Sequence, residues 1–341
     1  MQVNTGNGTR QIMSDGLAAK QIPFTDIPVI DFAAMQSGDR AERQQVADQL
    51  CQSCIQVGFF YVKNHGVSQT VIDQAFAQAQ RFFALPLEEK MKIHISHSPN
   101  HRGYVPLLEE NTDPTAKGDL HEAIDFALEV AADDPDVLAG KVLYGPNVYP
   151  ENLPGFRQAI EQYYWELYDL GRKIFQAFAL ALDLPEDYFE QKITKPLAQM
   201  RLLRYPPQTG TIDDKQIGTG AHSDYECFTI LMQDEVGGLQ VLNSAGEWIA
   251  AVPIPGTFVV NIGDQMARWT NNLFSSTVHR AINQSKKERF SIPYFFGPNY
   301  DTLVEALPNC VNSENPAQYQ PITTGEYILS RFNETFAYRV S

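Results

Sequence analysis

The chain has 341 residues, 43 % of them hydrophobic, and a formal net charge of −15. That length allows a substantial core in one or two domains, while an acidic balance without any run of Lys and Arg argues against a nucleic-acid partner, whose backbone is gripped by clustered cations. No stretch approaches the roughly 20 apolar residues that span a bilayer, and Met1 to Pro23, rich in Gly, Asn, Thr and Gln, lacks the basic start and apolar segment of a signal peptide, so a loose tail on a soluble, cytoplasmic chain is expected.

In chain order, Val46, Leu50, Cys54 and Val57 recur at helical spacing, which predicts a helix ended by Gly58. Cys51 and Cys54 form C-x-x-C inside it; with no second pair, the expectation is a half-buried helix face rather than a zinc knuckle. With Cys227, expected as a small buried filler, and Cys310, the four cysteines do not make a disulfide framework for a chain of this size. Phe59 to Val62 reads as a strand, and Ser68 as the cap of a second helix carrying Ile72, Phe76 and Phe83 and ended by Pro86. Ser96 to Leu120 is expected to be a loop, with His94, His97 and His101 solvated on or beside it. His65 and His121 have no visible partner set and read as structural.

Residues 154–182 predict a long amphipathic helix with Ile160, Tyr164, Leu167, Ile174 and Phe178 as its buried stripe. From Met200 to Phe296 the period shortens to that of strands. Turn signals at Gly237-Gly238, Asn243 to Gly246, Pro255-Gly256, Gly263-Asp264 and Asn271-Asn272 separate them, which predicts a sandwich or barrel. Thr323-x-x-Glu326 makes a capping box before a last helix carrying Tyr327, Ile328 and Phe332.

The chemistry concentrates in His222-Ser-Asp224, in His279 55 positions after that Asp, and in Arg289-Phe-Ser291 ten positions further on. On a strand, residues two apart face the same side, so His222 and Asp224 can share one metal. His279 has to arrive from a second strand, and the β-branched character of Ser276 to Ile282 supplies one. Two imidazoles and a carboxylate occupy one face of an octahedral metal and leave three positions free, the ligand set of non-haem Fe(II) oxygenases. Arg289 and Ser291 repeat the two-residue spacing, and a guanidinium beside a hydroxyl binds a carboxylate. Tyr205 ends another strand, stopped by Pro206 and Pro207; on its residues alone it could equally be a core aromatic.

Taken together, Arg204-Tyr-Pro-Pro207, Ala221-His-Ser-Asp-Tyr225, Gly237-Gly-Leu-Gln-Val241, Phe258-Val-Val-Asn-Ile-Gly-Asp264, Ser276-Thr-Val-His279 and Arg289-Phe-Ser-Ile-Pro293 resemble the 2-oxoglutarate and Fe(II)-dependent dioxygenase superfamily, in its isopenicillin N synthase-like branch. Ile27-Pro-Val-Ile-Asp-Phe32 and Gly58-Phe-Phe-Tyr-Val-Lys-Asn-His-Gly66 resemble the amino-terminal region of the same branch. The likeness covers roughly residues 24–335.

That resemblance implies a mainly β chain with flanking helices (α+β) around a double-stranded β-helix, or jelly roll. The expected organisation is a tail over 1–23, an N-terminal helix-and-strand region over 24–195, the jelly-roll core over 196–300 and a C-terminal segment with a helix over 301–341. It further implies Fe(II) held by His222, Asp224 and His279, and 2-oxoglutarate bound to the metal with its far carboxylate on Tyr205, Arg289 and Ser291. Oxygen would then be consumed, succinate and CO2 released, and a small-molecule metabolite oxidised, in most members by hydroxylation. Substrate contacts are implied at Phe295, Arg102 and Tyr104. Strand parity puts Glu226 on the side of His222 and Asp224, where it would meet a cationic or hydrogen-bond-donating substrate; the alternative is an outward, solvated carboxylate. No membrane, nucleic acid or obligate protein partner is expected. Two alternatives stand beside this reading: an isopenicillin N synthase-like oxidase that uses no 2-oxoglutarate, and a non-catalytic metal-bound jelly roll. The substrate is not legible.

Overall fold

A computed structural model describes residues 2–11, 27–37, 39–112, 117–208 and 216–335. An N-terminal hairpin of β1 (Gln2–Thr5) and β2 (Gly8–Gln11) precedes β3 (Val29–Asp31). Helix α1 (Arg40–Gln56) begins where the Asp39 carboxylate accepts the Ala41 and Glu42 amides at 2.7 and 3.3 Å, satisfying two of the donors a helix start leaves unpaired. It ends at Gly58, as predicted. There φ is +73°, and a β-carbon would lie 2.0 Å from the Ser275 carbonyl, so only glycine fits. Cys54 is buried and Cys51 half-buried on this helix, both as free thiols and apart from any metal-ligand group among the described residues.

Strand β4 (Phe59–Lys63) follows, then α2 (Gln69–Phe83). Ser68 sits at the predicted cap position, but its hydroxyl makes no cap bond; its backbone carbonyl accepts from Val71 and Ile72 instead. The helix closes before Pro86, which opens the short α3 (Leu87–Met91).

The expected loop from 96 to 120 contains β5 (Gly103–Val105), and β6 (Glu122–Ala127) comes directly after it. Two acidic residues disguise β6 as a polar segment, yet all six of its residues are buried. The acids survive burial because each has a cation: Glu122 meets Lys90 at 2.6 Å and Arg204 at 2.5 Å, and Asp125 takes two bonds from Arg201 at 2.6 and 2.8 Å. The solvated-loop expectation also fails for two of the three histidines. His94 is buried against Glu109 and Ser96, and His101 is stacked on Phe332 with centroids 4.3 Å apart; only His97 is exposed.

After the short α4 (Pro135–Leu138), the 26-residue α5 (Phe156–Ala181) carries the predicted stripe, and Ile160, Tyr164, Leu167, Ile174 and Phe178 are all buried. The strand region then gives β7 (Pro196–Tyr205), β8 (Thr219–His222), β9 (Phe228–Gln233), β10 (Leu239–Leu242), β11 (Trp248–Ala250) and β12 (Thr257–Ile262). Short helix α6 (Asp264–Trp269) leads to β13 (His279–Ala281), β14 (Arg289–Asn299), β15 (Leu303–Val304) and β16 (Ile322–Thr323). Helix α7 (Thr324–Thr335) starts at the predicted capping box, with Thr323 Oγ1 accepting the Glu326 amide at 3.3 Å and Glu326 Oε2 accepting the Thr323 amide at 3.2 Å.

An eight-stranded sheet in the order β3-β4-β12-β9-β14-β7-β6-β5 and a four-stranded sheet in the order β11-β10-β13-β8 form the jelly roll. Between the sheets lie Phe59, Tyr61, Leu231, Leu239, Val241 and Val259 at one end and Val105, Ala123, Leu203, Tyr205 and Ala281 at the other. The opposite face of the larger sheet is covered by α1, α2 and α5, so its central strands are buried on both sides. Helix α5 comes closest at Gly171, where an added β-carbon would stand 2.1 Å from the Phe296 ring. No described helix is long and apolar enough to cross a membrane.

Candidate active site

Strands β8 and β13 run antiparallel with His222 directly opposite His279, which makes the two imidazoles cross-strand neighbours with ring centroids 4.3 Å apart. The chain leaves β8 at His222 and carries Asp224 into the same space. Asp224 Oδ1 lies 3.4 Å from His222 Nε2 and 3.5 Å from His279 Nε2.

The surrounding hydrogen bonds aim these atoms. His222 Nδ1 is 2.8 Å from the Gly220 carbonyl and His279 Nδ1 is 3.1 Å from the Thr277 carbonyl, which puts the ring proton on Nδ1 and leaves both Nε2 lone pairs facing the shared point. Asp224 Oδ2 accepts from the Asn261 amide at 2.7 Å and from the Thr229 hydroxyl, so the carboxylate is oriented and Oδ1 is left open. Burial would raise the Asp224 carboxyl, but the two imidazoles outweigh it and hold it well below the usual carboxylate range. An anionic oxygen and two imidazole nitrogens converging on one point fit a divalent cation.

Behind this triad sits Asp264, a carboxylate to which its place in the sequence assigns no role. Asp264 is fully buried at the start of α6 and accepts from Gly6 N at 2.9 Å, Ser223 Oγ at 3.1 Å, Ser276 Oγ at 2.7 Å and Tyr327 Oη at 3.3 Å. It ties the N-terminal hairpin, the residue between two of the metal-facing side chains, and α7 to one carboxylate.

Arg289 opens β14 opposite Tyr205, the last residue of β7. Its guanidinium is fully buried, stacks over the Tyr205 ring at 4.5 Å and donates from Nη1 to Ser291 Oγ at 3.3 Å. Its Nε is buried with no partner, and no carboxylate among the described residues pairs with the side chain. A buried cation with an open donor beside a hydroxyl and a phenol fits a ligand carboxylate. Burial raises the Tyr205 phenol, yet the charges of Arg289 and His121 more than reverse it, so its acidity is enhanced.

All six of these side chains line one cavity of about 1020 Å³, counting its mouth. His121, expected to be merely structural, lines it too. It bonds the Gly218 carbonyl at 2.7 Å and Glu110 at 3.1 Å, and although burial opposes its charge, Glu110 pushes its pKa up to about 9. Glu110 also meets Arg201, which donates from Nε and Nη2 to Asp125.

Among the implied substrate contacts, Phe295 and Glu226 are in the cavity wall. Glu226 is 5 % exposed, which overturns the outward, solvated alternative; burial first, then the Asp224 charge, push its carboxyl up to about 8. Arg102 and Tyr104 are not in the wall. Arg102 is buried with its guanidinium on the Asn100, His101 and Leu143 carbonyls at 2.8, 3.1 and 2.8 Å, and the Tyr104 hydroxyl donates to Glu122 at 2.5 Å inside the core. The two residues flanking Arg102 have positive φ, +63° at His101 and +124° at Gly103. Gln199, Arg201, Tyr225 and Phe332 line the cavity and were not anticipated.

Residues 197–298 match the 2OG-Fe(II) oxygenase superfamily, and residues 27–152 match the family described as non-haem dioxygenase in morphine synthesis N-terminal. The chain is 36 % identical over 314 residues to the 2-oxoglutarate-Fe(II) type oxidoreductase hxnY of Emericella nidulans, covering 91 % of this chain and 90 % of that one. It is 39 % identical over 329 residues to the homoarginine-6-hydroxylase 2-ODD-C23 of Glycine max, covering 92 % and 98 %. A full-length Neurospora crassa protein, solved as a crystal structure in complex with alpha-KG and thymine, superposes with a TM-score of 0.81 at 30 % identity, over 90 % of this chain and 96 % of that one.

The chain belongs to the 2OG-Fe(II) oxygenase superfamily. It is an oxidoreductase that uses Fe(II) and 2-oxoglutarate. The oxidase alternative without 2-oxoglutarate and the non-catalytic alternative are set aside by the same comparisons.

Proposed function

We propose that the cavity hydroxylates a small-molecule metabolite, with His222, Asp224 and His279 holding Fe(II) and Arg289, Ser291 and Tyr205 holding the distal carboxylate of 2-oxoglutarate. The observation that carries the assignment of roles is that Asp224 Oδ1, left open by its neighbours, and the Arg289 guanidinium, which has no carboxylate partner among the described residues, line one cavity.

When bound, iron with 2-oxoglutarate and O2 supplies the oxidation: the co-substrate becomes succinate and CO2, one oxygen atom going to succinate and the other to a substrate C–H bond. The protein's own contribution is placement. Thr229 and Asn261 fix the Asp224 carboxylate, the backbone carbonyls of Gly220 and Thr277 fix the two imidazole tautomers, and Arg289 with Ser291 sets where the co-substrate ends. Relatives carry names that refer to a guanidino amino acid and a neighbour binds a pyrimidine, which supports a small polar metabolite as the substrate class. The four free cysteines support a reducing, cytoplasmic setting.

The test is anaerobic reconstitution with Fe(II) followed by addition of 2-oxoglutarate. A visible metal-to-ligand charge-transfer band, then succinate release on admitting oxygen, is the expected result. Iron binding without a band would overturn the assignment of Arg289, Ser291 and Tyr205 to the co-substrate.

A further inference from the structure

We propose that Glu226 is the specificity-determining residue of this cavity, and that the substrate presents an N–H donor group, such as a guanidinium, ammonium or lactam, to its carboxyl. The inference rests on the reading above, in which Arg289 and Ser291 hold 2-oxoglutarate and not the substrate.

The cavity has two ends along β14. Arg289 and Ser291 mark one, and Phe295 the other, six residues from Arg289 and so about 20 Å away at roughly 3.3 Å per strand residue. Glu226 belongs to the Phe295 end. It is seated against Gly297, where an added β-carbon would lie 3.4 Å from its Cγ. Its backbone is pinned on both sides: the Glu226 carbonyl accepts from Gln265 N at 3.3 Å, and the next residue, Cys227, donates to the Phe296 carbonyl at 3.1 Å and accepts from Gly263 N at 2.9 Å. The side chain is therefore directed into the cavity by the fold.

Every other acid in the wall is committed. Glu110 is held by Arg201 and His121, and Asp224 by Thr229, Asn261 and the two histidines. Arg201, whose charge reaches Glu226, makes four hydrogen bonds to Asp125 and Glu110 and none to Glu226. Among the described residues Glu226 makes no ion pair, and its carboxyl is met only by its own backbone N–H. A nine-tenths buried carboxyl whose one partner is its own amide is costly to keep unless a ligand group completes it. A carboxyl oxygen accepts an N–H in either protonation state, so the recognition does not depend on titration. Tyr225, Phe295 and Phe332 line the same cavity as flat apolar surfaces for the body of such a ligand.

The test uses the full chain loaded anaerobically with Fe(II) and 2-oxoglutarate. L-homoarginine, butylamine and thymine are titrated as guanidinium, ammonium and lactam probes, with 1,3-dimethylthymine as an N–H-free control, and binding is read as a change in the charge-transfer band. Glu226→Ala and the isosteric Glu226→Gln are compared with the wild type, and the readout is probe affinity relative to 2-oxoglutarate affinity in the same variant. The expected result is that at least one N–H probe binds and that its relative affinity falls at least about 10-fold in Glu226→Ala, the loss of one charge-assisted or buried hydrogen bond. Retention in Glu226→Gln assigns a neutral lactam, and loss in Glu226→Gln assigns a cation. An unchanged ratio in both variants, equal binding of thymine and its dimethyl analogue with no other probe bound, or no N–H probe binding at all overturns the inference while leaving the co-substrate assignment intact. Absence of the band in the wild type overturns that assignment, and the inference with it.

Discussion

Replacing Arg289 with Met separates a ligand clamp from a structural cation. The guanidinium is 1 % exposed, uses one donor on Ser291 at 3.3 Å and leaves Nε without a partner. Asp234, a carboxylate close enough to feel its charge, is occupied by the Phe290 and Val236 amides at 2.6 and 3.0 Å. Charge-assisted hydrogen bonds contribute about 1.5–3 kcal/mol each, so losing a two-pronged contact, with the ligand carboxylate left buried, costs about 3–4 kcal/mol, or roughly 10²–10³-fold in Kd. Stability of the ligand-free protein goes the other way: removing a buried unpaired cation relieves desolvation, while the lost stacking on Tyr205 costs only about 0.5–2 kcal/mol. Arg289→Met should therefore unfold within about 1 kcal/mol of wild type in urea without cofactor, yet require roughly 10²–10³-fold more 2-oxoglutarate in an anaerobic titration. A variant destabilised by more than about 3 kcal/mol that still binds 2-oxoglutarate within about threefold would show the reasoning to be wrong, because Arg289 would then be a folding residue.

Asn261→Leu removes the amide that orients Asp224 Oδ2 without touching a metal ligand, and Fe(II) affinity measured by anaerobic titration should fall about 10–100-fold; unchanged affinity would mean that Thr229 alone orients the carboxylate. His121 has a folded pKa of about 9, above its ordinary 6.5 because Glu110 outweighs burial, so its contribution is fully present below about pH 6.5 and is lost as pH rises through about 9, on the order of 3 kcal/mol. Unfolding free energies at about pH 6 and pH 9.5 should diverge for wild type and far less for His121→Gln; parallel profiles would remove the buried His121–Glu110 charge pair as a source of stability. Gly171→Ala gains about 1 kcal/mol of helix propensity but drives a methyl to 2.1 Å from the Phe296 ring, and a net loss of about 1–3 kcal/mol is expected in chemical denaturation. A more stable Gly171→Ala would show that β14 and α5 can separate without cost.

Legibility in the sequence followed spacing. His222, Asp224, Arg289 and Ser291 were readable because two-residue intervals on strands are a local statement about faces, and His279 because a β-branched segment could bring it alongside. The long helix and the capping box were readable for the same reason. The network of Glu110, His121, Asp125 and Arg201 was not. Its members come from a loop and two strands, no interval relates them, and the charges that make β6 look like solvent-exposed chain are neutralised only by partners up to 82 residues away. Arg102 and Tyr104 were misassigned for a different reason. Periodicity carries no record of positive φ, and His101 and Gly103 both have it, while the Arg102 guanidinium and the Tyr104 hydroxyl make their bonds inside the core.

The two ends of the cavity differ in how they are built, and this bears on how the enzyme could change substrate without losing its chemistry. The Arg289 end is made by adjacent strands of one sheet, with Arg289 and Tyr205 paired in register. The Phe295 end takes its wall from Glu226, from a strand and from α7, which brings Phe332. Yet α7 is not free to drift, since its Tyr327 hydroxyl reaches Asp264, and Asp264 also holds Ser223, the residue between His222 and Asp224. One buried carboxylate thus joins a cavity-lining helix to the segment between His222 and Asp224. Side chains on α7 and at position 226 can be exchanged to alter what fits, whereas a shift of the helix itself would be transmitted through Asp264 to the iron site.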